Sequence, residues 1–420
     1  MPGRHVVIIG GGLSGLTAAI RLTEAGARVS LLEAAPQLGG RTRSYLEPAS
    51  GELTDNGPHL LIGAYNSTRR LLSDCGAAGN VTWQPSLTLP LWDERRGHFR
   101  LQPSRLLPLL LALPIAITHL PGHSLKSAGS LFAMALHPPT RQTVAAWLAG
   151  LHIPASLQRD LLEPLCLGAM NEAIETADAR SFARVLKESF AGHQSARLGW
   201  FNKPLSEALI APLEHRARQS GVDIRLRSRV ASLKSEAGRP ILTFRDGTTL
   251  RADSVVLAIP AHARDLLLGI RHAGETRPIT NIHLWFDDTN LSLPAPFVGG
   301  IGTLGQWFFD IRQQIPSANP GHFCAVISAH DGDHPDLVGQ VAKELAMIGR
   351  WPAHASPRHH RIITEQRATA RVASSLQPAN LPKGVIDACE APRSGDLPAT
   401  IETAIQRGEA AAKNCLLSSA

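Results

Sequence analysis

An α/β fold with a second domain inserted into it is predicted by three features, met in order along the chain. The run His5-Val-Val-Ile-Ile opens directly into Gly10-Gly-Gly12-Leu-Ser-Gly15. A second apolar run, Arg28-Val-Ser-Leu-Leu, ends in an acid, Glu33. Far downstream, Ser254-Val-Val-Leu-Ala-Ile-Pro260 is again short and apolar, as a strand covered on both faces of a parallel sheet must be.

The first two features read as strand, tight turn, helix, strand, acid. Gly10, Gly12 and Gly15 permit the turn and let the backbone approach a pyrophosphate, which is held at the positive N-terminus of the helix that starts with Leu13 and Ser14. Glu33 stands roughly 20 residues further on, where an acid takes the ribose hydroxyls, and Ala34 follows it. Gly39-Gly40-Arg41-Thr42 then distinguishes between dinucleotides. A nicotinamide enzyme has no fixed need for this loop. A flavin dinucleotide passes its diphosphate and ribityl chain over it, with the glycines allowing close approach and Arg41 neutralising phosphate charge. FAD is therefore expected in preference to NAD.

The domain that starts at the N-terminus must be completed from elsewhere. Gly221–Val230 alternates as a strand, Ile241–Leu250 carries Asp246-Gly247 between alternating runs as a β-hairpin does, and Leu397–Ala412 is expected to close the domain as a helix. Residues 1–75, 211–264 and 366–420 are thus assigned to the nucleotide domain. Residues 76–210 and 265–365, richer in proline and less regular, are assigned to an inserted substrate domain. Within the insertion, Leu106–Ile117 is the most apolar stretch. Its two internal prolines and its length, well short of the roughly 20 residues a bilayer span needs, exclude a transmembrane helix. Three readings stay open: helical core, wall of an apolar substrate channel, or a surface that dips into a membrane.

The 420 residues suffice for two or three structural units, and 44% apolar with 18% charged residues is ordinary for a globular protein. The net charge of +7 comes without a dense Lys/Arg run, so no nucleic-acid partner is expected; docking on an anionic lipid surface accounts for it better. The five cysteines are scattered with no CxxC, which argues against a disulfide framework or a zinc site and fits a reducing cytoplasm. His330-Asp-Gly-Asp-His334 and His359-His360 lack further ligands, and no metal is expected. The short apolar run at residues 6–9 leads straight into the glycine turn, so it is not read as a signal peptide.

Taken together, these motifs resemble the flavin amine oxidase and phytoene desaturase superfamily, and within it the squalene-associated branch, the hydroxysqualene dehydroxylases. The superfamily features are Gly10-x-Gly12-x-x-Gly15, Glu33, Gly39-Gly40-Arg41, the Val230 segment and the strand ending at Ala258-Ile-Pro260. The branch features are Asp55-Asn-Gly57-Pro58-His59 with the following Leu-Leu-Ile-Gly-Ala-Tyr65, and Leu397-Pro398-Ala399-Thr400-Ile-Glu402. The branch has Gln where Pro58 stands, and the superfamily's Ala-Gly-Asp-Trp is replaced by Ala388-Cys389-Glu390-Ala391. Glu390 supplies a longer carboxylate toward the ribityl chain, while Cys389 is expected to place a side chain where glycine allows close approach.

The resemblance implies a Rossmann-like, glutathione-reductase-type FAD-binding domain carrying an inserted α+β substrate domain, as in flavin amine oxidases. It implies a long-chain isoprenoid substrate, hydroxysqualene, dehydroxylated to squalene in hopanoid biosynthesis, with a reductant of the flavin that the sequence does not identify. The cysteine usage and the basic charge, read with the apolar stretch, add the expectation of a cytoplasmic enzyme, peripheral on the inner face of the membrane. An allylic hydroxyl leaves only once protonated, so a proton donor is required beside the flavin. His59 is the first candidate, since histidine carries a proton near neutral pH, with a structural histidine bonded to backbone as its alternative. Asp55 is the second, and it needs a strongly raised pKa. Two other readings remain at this level: a carotenoid-type desaturase, and a non-catalytic isoprenoid-binding protein of the same fold. An amine oxidase is disfavoured by the scarcity of tyrosine, with only Tyr45 and Tyr65, and by Ala391 where an aromatic commonly sits.

Overall fold

Four separate stretches of chain build one parallel sheet. In the computed structural model, which describes residues 3–271, 274–330, 334–352, 354–372, 381–389 and 392–417, the strands Asp223–Arg225, Arg28–Leu32, His5–Ile9, Ser254–Leu257 and Val385–Asp387 lie side by side in that order. Every neighbouring pair is parallel, with Val7 level with Val255 and Val255 level with Val385. His5–Ile9 and Ser254–Leu257 are buried along their whole length, which is why they read as unbroken apolar runs. The helix Leu13–Glu24 and the closing helix Ile401–Leu417 cover one face together.

Two expected elements differ in extent. Of Gly221–Val230 only Asp223–Arg225 is a strand, because Arg227 adopts a left-handed conformation (φ 53°) and turns the chain into the next sheet. That sheet is antiparallel, Val230–Glu236 against Arg239–Phe244 against Thr249–Arg251, with the Asp246-Gly247 turn closing its second hairpin as expected. The closing helix begins at Ile401 instead of Leu397. The Thr403 hydroxyl donates to the Pro398 carbonyl and its N–H to the Thr400 hydroxyl, so residues 398–400 form the cap.

The second layer is a seven-stranded sheet in the order His359–Ala370, Thr276–Trp285, His322–Ser328, Trp307–Asp310, Phe297–Ile301, Leu89–Asp93 and Gly97–Leu101. It draws on both stretches assigned to the insertion. The strand His359–Ala370 runs across the boundary placed at 365, and the boundary at 210 falls inside a continuous helical run from Ser206 to Gln219. One face packs on the helix Leu337–Gly349 through Ile282, Leu284, Val298, Phe308 and Phe323. The other meets the helices between residues 109 and 189. A small sheet of Leu60–Ile62, Leu198–Phe201 and Val81–Trp83 links the layers.

The apolar stretch is half core and half surface. In the helix Leu109–Thr118, Leu109, Leu113 and Ile117 are buried, while Leu110 and Ile115 are exposed. The neighbouring helix Leu125–Leu136 exposes Leu125, Phe132 and Leu136, and Leu106 just upstream is 94% exposed. Among the described residues no helix is long and apolar enough to cross a membrane.

Candidate active site

The strand His5–Ile9 delivers Gly10 to the edge of the parallel sheet at φ +108°, and a Cβ there would stand 2.3 Å from the Ala258 carbonyl oxygen. A Cβ on Gly15 would stand 1.9 Å from the Gly10 carbonyl oxygen. Both positions are closed to any side chain by the fold itself. Gly12 is different: nothing lies within 4 Å of its Cβ position. It starts the helix Leu13–Glu24, which has no side-chain cap and no acid in its first turn. An open cradle thus faces the bare, positive end of a helix, the arrangement that takes a diphosphate.

The remaining nucleotide residues close around this turn. Glu33 accepts the Gly11 N–H on Oε2 and the Ala35 N–H on Oε1, both at 2.7 Å, which aims the carboxylate and leaves each oxygen one lone pair for a ribose hydroxyl. Ala34 is exposed beside it. The Gly39 N–H donates to the Gly11 carbonyl at 2.9 Å, and Thr42 donates from both its N–H and its hydroxyl to the Gly39 carbonyl. A Cβ on Gly40 would stand 3.4 Å from the Gly12 Cα, so the two glycine loops abut. Arg41 is exposed and donates to the Ala368 carbonyl on the edge strand of the large sheet. Val230 opens the antiparallel sheet, Ala258 donates to the Ile9 carbonyl, and Pro260 precedes the helix Ala261–Leu267. On the far side, the Ser14 hydroxyl donates to the Ala388 carbonyl at 3.4 Å.

The expectation that Cys389 stands in the cofactor's way is corrected. Its thiol donates to the Leu257 carbonyl at 3.3 Å and packs with Val7, Leu233 and Leu257, and this burial, helped by Asp387, pushes the thiol well above its ordinary pKa. Glu390 lies outside the described residues. Tyr65 is bonded to Thr400, and burial pushes its hydroxyl up to about 12, so it serves as a fixed neutral strut. Glu402 accepts the Ser67 N–H and the Thr68 N–H and hydroxyl, capping the helix Asn66–Asp74 from across the interface.

The second half of the site is built from side chains. The hairpin Ser44–Glu47 and Glu52–Asp55 leads into the loop 56–59, which lies on the large sheet. A Cβ on Gly57 would stand 2.3 Å from the Asn281 side-chain oxygen, so glycine is what allows that contact. Asp55, Pro58 and His59 line a small pocket whose apolar wall includes Leu53, Phe201, Leu205, Ile311 and Ile315, and whose far side is His283 and His322. Asp55 Oδ1 accepts the Ser44 hydroxyl at 2.6 Å and the Leu205 N–H at 2.8 Å. Burial overrides these two bonds and, with Glu207 adding repulsion, pushes the carboxyl up to about 7.

His59 goes the other way. Burial, reinforced by Arg41, holds its imidazole below the ordinary value despite the Gly57 carbonyl that accepts from Nδ1 at 2.8 Å. With the proton on Nδ1, Nε2 is an acceptor. Burial thus moves the two groups in opposite directions, raising the Asp55 carboxyl and lowering the His59 imidazole.

Sequence reasoning did not find three further groups here. His283 and His322 are fully buried on adjacent strands of the large sheet, with His283 Nδ1 3.0 Å from His322 Nε2. The other His322 nitrogen, Nδ1, lies against the Glu52 carboxylate. The only local signal is Glu52, three residues before Asp55; the two histidines come together through strand pairing alone. Among the described residues no group of His, Cys, Asp or Glu is placed to hold a metal ion.

A glycine turn left open on a parallel sheet, and a pocket lined by Asp55 and His59 beside the seven-stranded sheet, are the two halves of a site suited to a flavoprotein oxidoreductase. The chain belongs to the flavin containing amine oxidoreductase family, whose sequence profile matches residues 13–353. It is a flavin-dependent oxidoreductase. It is 30% identical over 97% of its length to the hydroxysqualene dehydroxylase of Sinorhizobium fredii, of which 97% is covered. To the hydroxysqualene dehydroxylase of Rhodopseudomonas palustris it is 29% identical, again with 97% of each chain covered. The 15-cis-phytoene desaturase of an Oncidium hybrid is 24% identical over 67% of this chain and 53% of its own. Among solved structures, cyclohexylamine oxidase from Brevibacterium oxydans superposes with a TM-score of 0.71 at 16% identity over 99% of both chains, a likeness of fold.

Proposed function

We propose that the protein is an FAD-dependent hydroxysqualene dehydroxylase, which removes the allylic hydroxyl of its substrate as water and leaves squalene. The observation that carries the reading is Asp55, a carboxyl held at about 7 in an apolar cavity. Reductive dehydroxylation needs an acid at the leaving oxygen; desaturation of a C–C bond does not. Similarity over nearly the whole length to dehydroxylases, against two thirds for desaturases, supports the same choice.

FAD fits the residues present. Its diphosphate would lie in the Gly12 cradle at the Leu13 and Ser14 N–H groups, its adenosine ribose on Glu33, and its ribityl side along Gly39–Thr42. When bound, reduced flavin supplies the hydride that replaces the hydroxyl. The chain's own groups do the rest. Asp55 protonates the leaving oxygen, and His59 Nε2 accepts the hydroxyl's hydrogen bond and orients it. The apolar wall keeps water from the cationic carbon.

Docking to anionic lipid is proposed for the exposed leucines of residues 106–136, flanked by the exposed cations Arg105 and Lys126. A cytoplasmic protein at the inner membrane face is part of the same proposal. The test of the function is direct: purified protein is loaded with FAD, reduced without oxygen and given hydroxysqualene. Squalene formed with reoxidation of the flavin supports the proposal; bound flavin without squalene points to another isoprenoid reaction, and no bound flavin to the non-catalytic reading.

A further inference from the structure

Two arginines outside the catalytic pocket are seated against the same residue with no acid between them. The strand Leu60–Ile62 runs into Gly63, where the chain passes residues 194–197 closely. A Cβ on Gly63 would stand 1.7 Å from the Gln194 carbonyl oxygen and 3.0 Å from Arg197 Cγ, so only glycine permits the crossing. The Gly63 N–H donates to the Arg197 carbonyl at 2.8 Å, and Arg69 Nη1 donates to the Gly63 carbonyl at 3.3 Å. The Arg197 guanidinium carbon lies 4.8 Å from the centroid of the Trp83 ring, and its Nε is buried without a hydrogen-bond partner.

This arrangement is unfavourable by itself. Elsewhere the chain gives its half-buried arginines carboxylates: Arg21 meets Glu24 and Asp74, Arg96 meets Asp93 and Asp160, and Arg371 meets Glu172 and Glu275. Among the described residues neither Arg69 nor Arg197 has such a partner. Burial, and then the Arg69 charge, hold Arg197 below its ordinary pKa, and no carboxylate offsets them. An anion bound to both would relieve the repulsion and take up donors that the protein leaves unused. Phosphate suits guanidinium groups best, since its oxygens match their fork of donors.

The surroundings say where that phosphate belongs. One helical turn before Arg197, His193 donates from Nε2 to the Leu107 carbonyl at 2.8 Å. Leu107 lies at the head of the apolar stretch whose Leu106, Leu110 and Ile115 are exposed. Trp83 is half-buried beside the arginine, and an indole favours the level where lipid headgroups meet acyl chains. Resting on the membrane-docking part of the proposed function, we propose that Arg69 and Arg197 clamp the phosphate of one anionic lipid, a phosphomonoester as in phosphatidic acid, and so hold the apolar stretch at the bilayer surface. A phosphomonoester presents close to two charges and three free oxygens, enough for both cations, whereas a phosphodiester headgroup carries one charge and is flanked on both sides.

The experiment sediments the purified protein with vesicles of phosphatidic acid or phosphatidylglycerol in phosphatidylcholine, matched in surface potential. Wild type should prefer phosphatidic acid by about tenfold, and Arg69→Gln and Arg197→Gln should each lose that preference while keeping the weaker binding to phosphatidylglycerol. Equal binding of wild type to both lipids, or equal losses on both in the variants, reduces the pair to general attraction and overturns the clamp. Arg197→Gln also loses its packing on Trp83, so each variant is checked by thermal melt. Arg69→Glu is the independent control: it gives Arg197 an acid, so the melting temperature should rise while the preference disappears. A melting temperature that falls overturns the claim that the two cations repel each other.

Calorimetric titration with dihexanoyl phosphatidic acid, below its micelle concentration, separates the clamp from the docking it rests on. Binding of this lipid by wild type and not by Arg197→Gln, without sedimentation of any vesicle, overturns membrane docking and leaves the phosphate site standing. Sedimentation without that binding leaves docking to the leucines alone and overturns the clamp. Inorganic phosphate bound as tightly as the short lipid assigns the site to a free anion, which overturns it too.

Discussion

The two ends of the site are made of different materials. At the nucleotide end the working groups are backbone: the open cradle at Gly12, the uncapped N–H groups after it, and two glycine loops that touch. At the cavity end they are side chains, and what sets their titration is burial, which raises Asp55 to about 7 and lowers His59. A backbone site needs particular residues at fixed spacing, because steric exclusion acts over a few positions. A buried side-chain site needs a particular environment, which many distant residues supply together.

The largest expected effect separates the roles of the glycines. Gly15→Val should abolish both folding and flavin binding, since its Cβ would stand 1.9 Å from the Gly10 oxygen. Gly12→Glu should leave the melting temperature near wild type, because its Cβ meets nothing, yet weaken flavin binding by about 100-fold, close to 2.7 kcal/mol. Flavin titration by absorbance reads the difference. Equal thermal losses in the two variants would break the distinction between structural and cradle glycines.

At the other end, Asp55→Asn keeps an acceptor for the Ser44 hydroxyl and the Leu205 N–H while removing the proton donor. Squalene formation should fall by about 10²–10⁴-fold with bound flavin retained. The same substitution has a stability signature of opposite sign. Because the folded carboxyl titrates at about 7, above the roughly 3.9 of an unfolded Asp, its contribution to stability is fully present below that lower value. It is lost as pH rises toward and through 7. Wild type should therefore melt lower at pH 8 than at pH 5, and Asp55→Asn should flatten that fall; calorimetry at both values checks it.

Smaller effects are expected away from both ends. Glu402→Ala removes three hydrogen bonds to the first turn of the helix Asn66–Asp74 and should cost about 1–3 kcal/mol in denaturant unfolding, with turnover of the folded fraction intact. Leu110→Ser with Leu125→Ser should weaken sedimentation with anionic vesicles while leaving stability within about 0.5 kcal/mol, since both side chains are exposed.

The sequence carries these two ends unequally. Gly10, Gly12, Gly15, Glu33 and the Gly39–Arg41 loop are legible because their contacts are local: Glu33 reaches the Gly11 N–H across one turn of a strand–helix–strand unit. The parallel sheet is legible in outline, but the strand at Asp223–Arg225 is cut short by a left-handed Arg227 that no periodicity announces. Asp55 and His59 are legible as candidates, yet the opposite shifts of their pKa values are not, because these depend on a wall drawn from Phe201, Leu205, Ile311 and Ile315. His283 and His322 lie 39 residues apart and meet only because their strands pair, so nothing near either of them marks the contact.

The measurement that bears most directly on this account is the rate of squalene formation from hydroxysqualene in a single anaerobic turnover, followed from pH 5 to 9 in wild type and in Asp55→Asn. A wild-type rate that falls through a midpoint near 7, and an Asp55→Asn protein that binds flavin, forms squalene at least 100-fold more slowly at pH 5 and shows no such midpoint, is the predicted result. Squalene formed at the wild-type rate by Asp55→Asn would contradict it.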